Sequence, residues 1–139
     1  MHTVEMNAET VRAAARVIPQ DAPIVMLNLL RYREQADYGD RTDVAPCSGR
    51  EAYHGRYLPA TFQIMAADSV QLVWIGDVLA RVIGPADEQW DEMALVEYPS
   101  FAAFQRLIEN PEYKAAEFHR TAALADSRLI ATVRTAGPV

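Results

Sequence analysis

The sequence lacks the features that would place the chain outside the cytoplasm. Cys47 is the only cysteine among 139 residues, so a disulfide within one chain is excluded. The first residues lack the basic start and apolar run of a secretory signal. The longest apolar stretches, 24–30 and 70–76, are far shorter than the roughly 18 residues of a membrane span. We therefore expect a cytoplasmic protein in a reducing compartment, with no membrane partner.

Motifs that bind nucleic acids, nucleotides or metals are also missing. Lysine and arginine are scattered and the formal net charge is −6, which disfavours nucleic-acid binding. There is no GxGxxG, P-loop, HExxH or CxxC pattern, so neither a nucleotide cofactor nor a structural zinc is indicated. The three histidines, His2, His54 and His119, have no spacing typical of a metal site. We expect no cofactor and no metal.

What the sequence does contain is the composition of one globular domain over residues 1–139. Half of the residues are hydrophobic and 23% are charged, the balance of an ordinary folded chain. Apolar periodicity and capping residues predict the element order α-β-α-β-β-α-α-β. These elements are a helix at 7–17, a strand at 23–31, a helix from Ser48 that Pro59 kinks or splits, strands at 70–83 and 90–98, a helix after Ser100, a helix at 110–124 and a strand at 128–134.

Without the first helix, this order is the β-α-β-β-α-β unit of the ferredoxin-like α+β fold. The core then covers about residues 23–134, and residues 1–22 form an N-terminal helical extension. The polar segment 32–47 is predicted to be a long loop, either a solvated insertion or a lid.

Several predicted strands are apolar on both faces, which has a consequence for assembly. A four-stranded sheet with its helices on one side leaves the other face bare. Two copies that pair sheet to sheet about a two-fold axis would cover that face, so we expect a homodimer. The alternative is a monomer whose N-terminal helix covers the open face.

An ordered set of short motifs resembles the family known as domain of unknown function 1330. The set consists of residues 26–32 (MLNLLRY), 49–53 (GREAY), Asp91 with 96–100 (VEYPS), 110–113 (NPEY) and 119–120 (HR). The resemblance implies a ferredoxin-like subunit that pairs as a dimeric α/β barrel. That superfamily includes cofactor-independent quinol-type monooxygenases, muconolactone isomerases, haem-degrading enzymes and chlorite dismutases. The family itself has no settled activity, so the resemblance implies a fold rather than a reaction.

Two polar residues of the first predicted strand are candidates for substrate binding. Asn28 lies in an apolar strand, and a buried amide needs partners. It could hold a ligand carbonyl or a water, or it could bond a neighbouring loop. Arg31, at the strand end, could grip a carboxylate or enolate through two parallel hydrogen bonds. Its alternative is an ion pair with a surface acid such as Glu34 or Asp37.

The candidate catalytic residues are His119 and Arg120. Near neutral pH, His119 could act as a general base that removes a proton from an acidic carbon or a phenol. It could equally be a partly buried helix histidine with one nitrogen bonded. Arg120, or Arg31, could stabilise a developing oxyanion, although an intrahelical pair with Glu117 would also explain Arg120.

Four further residues are candidates for the lining of a substrate site. Tyr53 and Tyr57 are one helical turn apart and could donate hydroxyls to a ligand, or they could form a structural aromatic stripe. Trp74 could wall an aromatic pocket or pack in the core or an interface. Asp91 could be a second acid or base, or the cap of the turn before it.

These candidates support three hypotheses about function. The first is a cofactor-independent enzyme of monooxygenase or isomerase type that acts on a small aromatic or carbonyl compound, with His119 as the base and Asn28 orienting the substrate. The second is a module that binds or senses a small metabolite without turnover. The third is a haem-handling protein with His54 or His119 as the axial ligand.

Overall fold

The computed structural model describes residues 2–137, and its elements follow the predicted order. The second helix is one continuous stretch whose middle part is a π-helix. The elements are α1 (Ala8–Val17), β1 (Ile24–Tyr32), α2 (Gly49–Glu51), a π-helical segment (Ala52–Tyr57), α3 (Leu58–Ala67), β2 (Gln71–Asp77), β3 (Glu92–Tyr98), α4 (Phe101–Glu109), α5 (Pro111–Ala123) and β4 (Leu124–Thr132).

The four strands form one antiparallel sheet in the order β2-β3-β1-β4. This is the ferredoxin-like arrangement, so the predicted α+β fold class is confirmed. The predicted strand at 70–83 was too long. β2 ends at Asp77, and the segment beyond it is irregular, with the apolar side chains of Leu79, Val82 and Ile83 all more than 90% exposed. β4 starts four residues earlier than predicted, directly after α5.

Short polar side chains fix where the helices begin. The Asn7 side chain accepts hydrogen bonds from the amides of Glu9 and Thr10 at the start of α1. The predicted capping box forms at α2, where Ser48 Oγ accepts from the Glu51 amide and the Glu51 carboxylate accepts from the Ser48 amide. These contacts satisfy amide groups that have no partner within the helix.

Pro59 changes the type of the helix instead of splitting it. Proline has no N–H group, so it cannot donate to the carbonyl of Gly55 as an α-helical residue would. In the turn before it, the Leu58 amide donates to the Tyr53 carbonyl, one residue further back than in an α-helix. Such π-helical turns are frequent at functional sites. This one carries Tyr53 and Tyr57, both buried against the core.

The hydrophobic core lies between one face of the sheet and the helices. Ile24, Met26 and Leu30 of β1 point into it and are almost fully buried. The helix α1 lies on this same side, because its Val11 and Ala14 line a groove together with Met26 and the neighbouring Ala131. The alternative in which α1 covers the open face of a monomer was therefore wrong.

The opposite face of the sheet is apolar and uncovered in the single chain. A row of side chains crosses all four strands, with Trp74 beside Leu95, Leu95 beside Leu27 and Leu27 beside Ile130. Trp74 and Ile130 are 57% and 48% exposed.

Within residues 2–137, no helix is long and apolar enough to cross a membrane.

Candidate functional site

A small cavity lies between the core face of the sheet and the helices. Its volume is about 50 Å³, room for one or two water molecules. It adjoins a wider groove of about 520 Å³ beneath α1, and Arg120 lines both spaces. The polar side chains that line the cavity are Asn28, Tyr53, Tyr57, Thr61, Tyr98, Tyr113 and Arg120.

Arg120 is a buried cation that no carboxylate neutralises. It projects from α5 with 8% of its surface exposed. One nitrogen, Nη1, donates to the Val4 carbonyl at 2.6 Å. Among the described residues the guanidinium forms no ion pair, so the pair with Glu117 suggested by helical spacing is not made. Since an arginine stays charged in proteins, its remaining N–H groups are available to an anion in the cavity or the groove.

Buried tyrosines surround this cation. Tyr57 Oη and Tyr113 Oη are hydrogen-bonded at 3.0 Å, and Tyr53 packs against Tyr57 with ring centroids 5.0 Å apart and a tilted geometry. Burial raises the pKa of all three phenols. They therefore remain neutral at physiological pH and can donate hydrogen bonds to a ligand. A neutral phenol offers dipoles to Arg120 without cancelling its charge.

Two polar groups in the cavity wall have incomplete hydrogen bonding. The Thr61 side chain is 2% exposed. Its hydroxyl approaches the Tyr57 phenol but makes no hydrogen bond of normal geometry, and it is left unpaired. Asn28 Nδ2 makes only long contacts, 3.4 Å to the Met26 carbonyl and 3.5 Å to the Ala94 carbonyl. Because buried polar groups are usually paired, both side chains are candidates to contact a bound ligand.

A second polar cluster lies at the start of β3, and sequence reasoning missed its centre. The Glu92 side chain is 5% exposed. Its Oε1 accepts hydrogen bonds from the Tyr32 hydroxyl and, at 2.7 Å, from His54 Nε2. Its Oε2 is 3.5 Å from Arg50 Nη1. Tyr32 packs edge-on against Tyr53, with ring centroids 5.6 Å apart, so this cluster borders the wall of the cavity.

The phenol of Tyr32 is held in its neutral form within this cluster. Burial, and then the hydrogen bond to Glu92, raise the pKa of Tyr32. It therefore acts as a hydrogen-bond donor to the carboxylate. With His54 beside it, Glu92 is hydrogen-bonded to two side chains, an imidazole and a phenol, that can each exchange a proton.

His119, the predicted base, does not line the cavity. Its Nδ1 is 2.7 Å from the Tyr38 hydroxyl of the 32–47 loop, and its ring lies 4.0 Å from that of Phe118. Burial, helped by Arg56 and Arg41, lowers the pKa of His119. His119 is thus a neutral, partly buried side chain that fastens the loop to α5, which corresponds to the structural alternative.

The first part of the loop, from Arg33 to Tyr38, is attached to α5. The amides of Arg33 and Asp37 donate to the carbonyls of Ala123 and Ala122 at 2.8 and 2.9 Å. The Arg56 side chain donates to the Tyr38 hydroxyl at 3.1 Å. These hydrogen bonds hold the 32–47 loop in place and favour a solvated insertion over a lid that opens and closes.

Three other predicted residues lie away from the cavity. Arg31 and Trp74 are on the open face of the sheet, opposite Asn28, because side chains alternate along a strand. Neither predicted ion pair of Arg31, with Glu34 or Asp37, forms in the described chain. Asp91 accepts a hydrogen bond from the Tyr32 amide at 2.8 Å, so its carboxylate holds the end of β1. The structure brings together only Asn28, Tyr53, Tyr57 and Arg120.

Some of the missed residues had a signal in the sequence. Glu92 shares a strand face with Ala94, Val96 and Tyr98. Alternation along the strand therefore predicts that its charged side chain points to the buried face. Tyr113 carried no signal beyond its place in an amphipathic helix, and Thr61 none, because an unpaired hydroxyl is visible only in three dimensions. Within residues 2–137, no three histidine, cysteine, aspartate or glutamate side chains meet as a metal site would require.

The fold and the cavity define a ferredoxin-like α+β protein with a buried, unpaired arginine. No protein-family model matches the chain, and no curated protein is similar to it. Among solved structures, RPA0582 of Rhodopseudomonas palustris, a protein of unknown function, is 34% identical, with a TM-score of 0.88 over 99% of this chain and 100% of that one. A methylated form of RPA0582 gives 35% identity and a TM-score of 0.87, covering 97% and 96% of the two chains. The chain therefore belongs to the same family as RPA0582.

More distant structures share the fold alone. A dimeric, ferredoxin-like protein of unknown function from Bacteroides fragilis is 14% identical, with a TM-score of 0.52 over 84% of this chain and 100% of its own. A hydroxynitrile lyase from Passiflora edulis is 8% identical, with a TM-score of 0.55 over 85% and 99% of the two chains.

Proposed function

We propose that this protein binds a small molecule that presents a carboxylate, an enolate or a polarised carbonyl oxygen to Arg120. The observation that carries the proposal is the burial of this guanidinium without a carboxylate partner. An unpaired buried charge is costly to the fold, so its presence is most simply explained by an anionic ligand. Because arginine matches a carboxylate through two parallel hydrogen bonds, the ligand group is defined chemically.

The other walls of the cavity suit the same ligand. Asn28 Nδ2 can exchange its long backbone contacts for a ligand oxygen, and the unpaired Thr61 hydroxyl can donate or accept. The neutral phenols of Tyr53 and Tyr57 add further donors from the helix that carries Thr61. A few convergent polar groups within an apolar pocket are typical of small-molecule sites.

Native mass spectrometry of freshly purified protein tests this proposal. We expect a non-covalent small molecule on the wild-type chain and its loss in Arg120→Met, which keeps an unbranched apolar stem and removes the charge. Arg106→Met is the matched control, because Arg106 is an exposed partner of Asp68. Equal ligand occupancy in wild type and Arg120→Met would contradict the proposal.

We also propose that the protein is a homodimer that pairs through the open face of its sheet. The row of Trp74, Leu95, Leu27 and Ile130 is an apolar surface of the kind that marks an interface. The exposed apolar segment 78–83 continues it, since this segment and Leu29 of the open face line one concavity. Membership in domain of unknown function 1330, suggested by the sequence motifs, would agree with this pairing, as does the dimeric protein from Bacteroides fragilis.

A second candidate function is cofactor-independent catalysis by proton transfer, the first step of both the isomerase and the monooxygenase types. The cluster of Glu92, His54 and Tyr32 favours it, because a buried carboxylate bonded to an imidazole and a phenol can hold and move a proton. The proposed base is then this cluster instead of His119. Deuterium exchange at the acidic C–H of a ligand found by mass spectrometry tests it: exchange should be lost in Glu92→Gln and retained in His119→Gln.

A further inference from the structure

We infer that the ligand is an amphipathic monocarboxylate, with its carboxylate on Arg120 and an unbranched apolar tail in the groove beneath α1. This inference rests on the proposed function and names its ligand class. The cavity of about 50 Å³ holds no more than a head group. The adjoining groove of about 520 Å³ is within the size range of small-molecule pockets, and Arg120 stands where the two spaces meet.

The inner wall of the groove is apolar along its length. It is built by core-facing side chains of the sheet and of α4, and it is closed by the inner side of α1. The apolar side chains that line it are Val4, Met6, Val11, Ala14, Met26, Phe101, Phe104, Leu129 and Ala131. A hydrocarbon tail would be removed from water against this wall, whereas a polar or sugar-like body would lose its hydrogen bonds there.

The charges of the groove admit one negative group and disfavour a second. Besides Arg120, its charged residues are Glu5 and Arg128. Arg128 is already paired with Asp126 at 2.7 Å and lies over the ring of Trp90, 5.0 Å from its centroid. Glu5 is exposed at the rim, where it would repel the far end of a dicarboxylate. The charge pattern therefore selects a single carboxylate at the inner end.

The roof of the groove is attached at one end and lightly packed elsewhere. None of the residues of α1 is fully buried. The segment before it is held at Thr3, whose amide donates to Asp126 and whose hydroxyl donates to the Ser127 carbonyl, both at 2.8 Å. A helix with few buried contacts opens at low free-energy cost. A ligand can therefore enter beneath α1 without disturbing the sheet.

Isothermal titration calorimetry with straight-chain carboxylates tests the inference on the full chain. From butanoate to octanoate, we expect the affinity to rise by about fourfold for each methylene, since each is removed from water. Octanol and octylammonium should bind about tenfold more weakly than octanoate or worse, because octanol carries no negative charge and octylammonium is a cation with no acceptor for Arg120. Flat affinity along the series, equal affinity for octylammonium, or no binding of any carboxylate would overturn the ligand class.

Two α1 variants locate the tail. Ala14→Phe fills the groove from its roof, and we expect octanoate affinity to fall at least tenfold while butanoate is little affected. Ala13→Phe is the matched control, because Ala13 is exposed on the outer side of the same helix. Equal octanoate affinity in the two variants would place the tail elsewhere. If octanoate binds no better than butanoate but both depend on Arg120, the tail is wrong and the proposed function stands. If Arg120→Met leaves both affinities unchanged, the proposed function fails as well.

Discussion

Thr61→Val should make the ligand-free protein more stable. The Thr61 side chain is 2% exposed and its hydroxyl has no hydrogen bond. A buried hydroxyl without a partner costs about 1–3 kcal/mol. Valine replaces it by a methyl group of similar size and is also β-branched, so the rotamer and helix-propensity terms nearly cancel. We expect the free energy of unfolding to rise by about 1–2 kcal/mol.

Urea denaturation measures this change. With a slope of about 2 kcal/mol per molar urea, the midpoint should move up by roughly 0.5–1 M. Protein concentration must be held constant, because the proposed dimer would add to the apparent stability. Thr132→Val is the control: the Thr132 hydroxyl already donates to the Val25 carbonyl at 2.7 Å, so its loss should leave stability unchanged or lower it by up to about 1 kcal/mol.

A less stable Thr61→Val variant would contradict this prediction. If Thr61→Val lowers the free energy of unfolding by about 1 kcal/mol or more, the hydroxyl has a partner in solution. That partner could be the Tyr57 phenol or a resident water. Thr61 would then no longer mark a place prepared for a ligand, and the case for the cavity would rest on Arg120 and Asn28 alone.

Four further predictions follow from the same structure. Arg120→Met should raise the free energy of unfolding by about 1 kcal/mol, because removing an unpaired buried cation outweighs its one hydrogen bond to Val4; a loss of that size in urea denaturation would show a structural role. Leu95→Asp should convert the dimer to a monomer in light scattering while Leu79→Asp weakens it less, and an unchanged mass would disprove pairing through the open face. Glu92→Leu should lower stability by about 2–4 kcal/mol, because leucine has no acceptor and leaves the Tyr32 hydroxyl and His54 Nε2 without their partner, whereas a change below about 0.5 kcal/mol in urea denaturation would mean that the carboxylate is dispensable to the fold. Burial raises the pKa of Asp126, but hydrogen bonds from the Thr3 amide, Arg128 and His2 outweigh this effect and lower the pKa to about 2. Its contribution to stability should therefore be complete above about pH 4 and be lost as the pH falls through 2; in Asp126→Asn the stability should not show this loss.

Most of the fold could be predicted because local rules and tertiary packing agree. Asn7, Ser48 and Asn110 each cap a helix as their sequence context indicates. The alternation in β1 and β3 separated the core face from the open face. The strand prediction for segment 78–83 was wrong because local rules and tertiary packing disagree there. Its β-branched and aliphatic residues satisfy strand propensity, but its apolar side chains are exposed in the single chain.

The site was harder to predict because its members come from distant parts of the chain. Helix spacing alone allows an intrahelical ion pair between Arg120 and Glu117. Only the fold shows that this ion pair is absent. His119, one residue before it, points instead to Tyr38. The sequence analysis points to Asp91 and not to Glu92, although the side chain of Asp91 only accepts a hydrogen bond from a backbone amide. Because side chains alternate along a strand, a shift of one position separates the buried Glu92 from Asp91 at the strand's edge.

Two of the buried charged residues that the structure describes, Arg120 and Glu92, have opposite signs and do not neutralise each other. Arg120 and Glu92 both influence the phenol of Tyr53, yet they form no ion pair. Glu92 is saturated by donors from Tyr32, His54 and Arg50, whereas Arg120 has one backbone acceptor. A sequence shaped by stability alone would pair these charges or replace them by apolar residues. Their separation keeps the cation free beside a carboxylate–imidazole pair, which suits a protein that binds an oxyanion and can move a proton next to it.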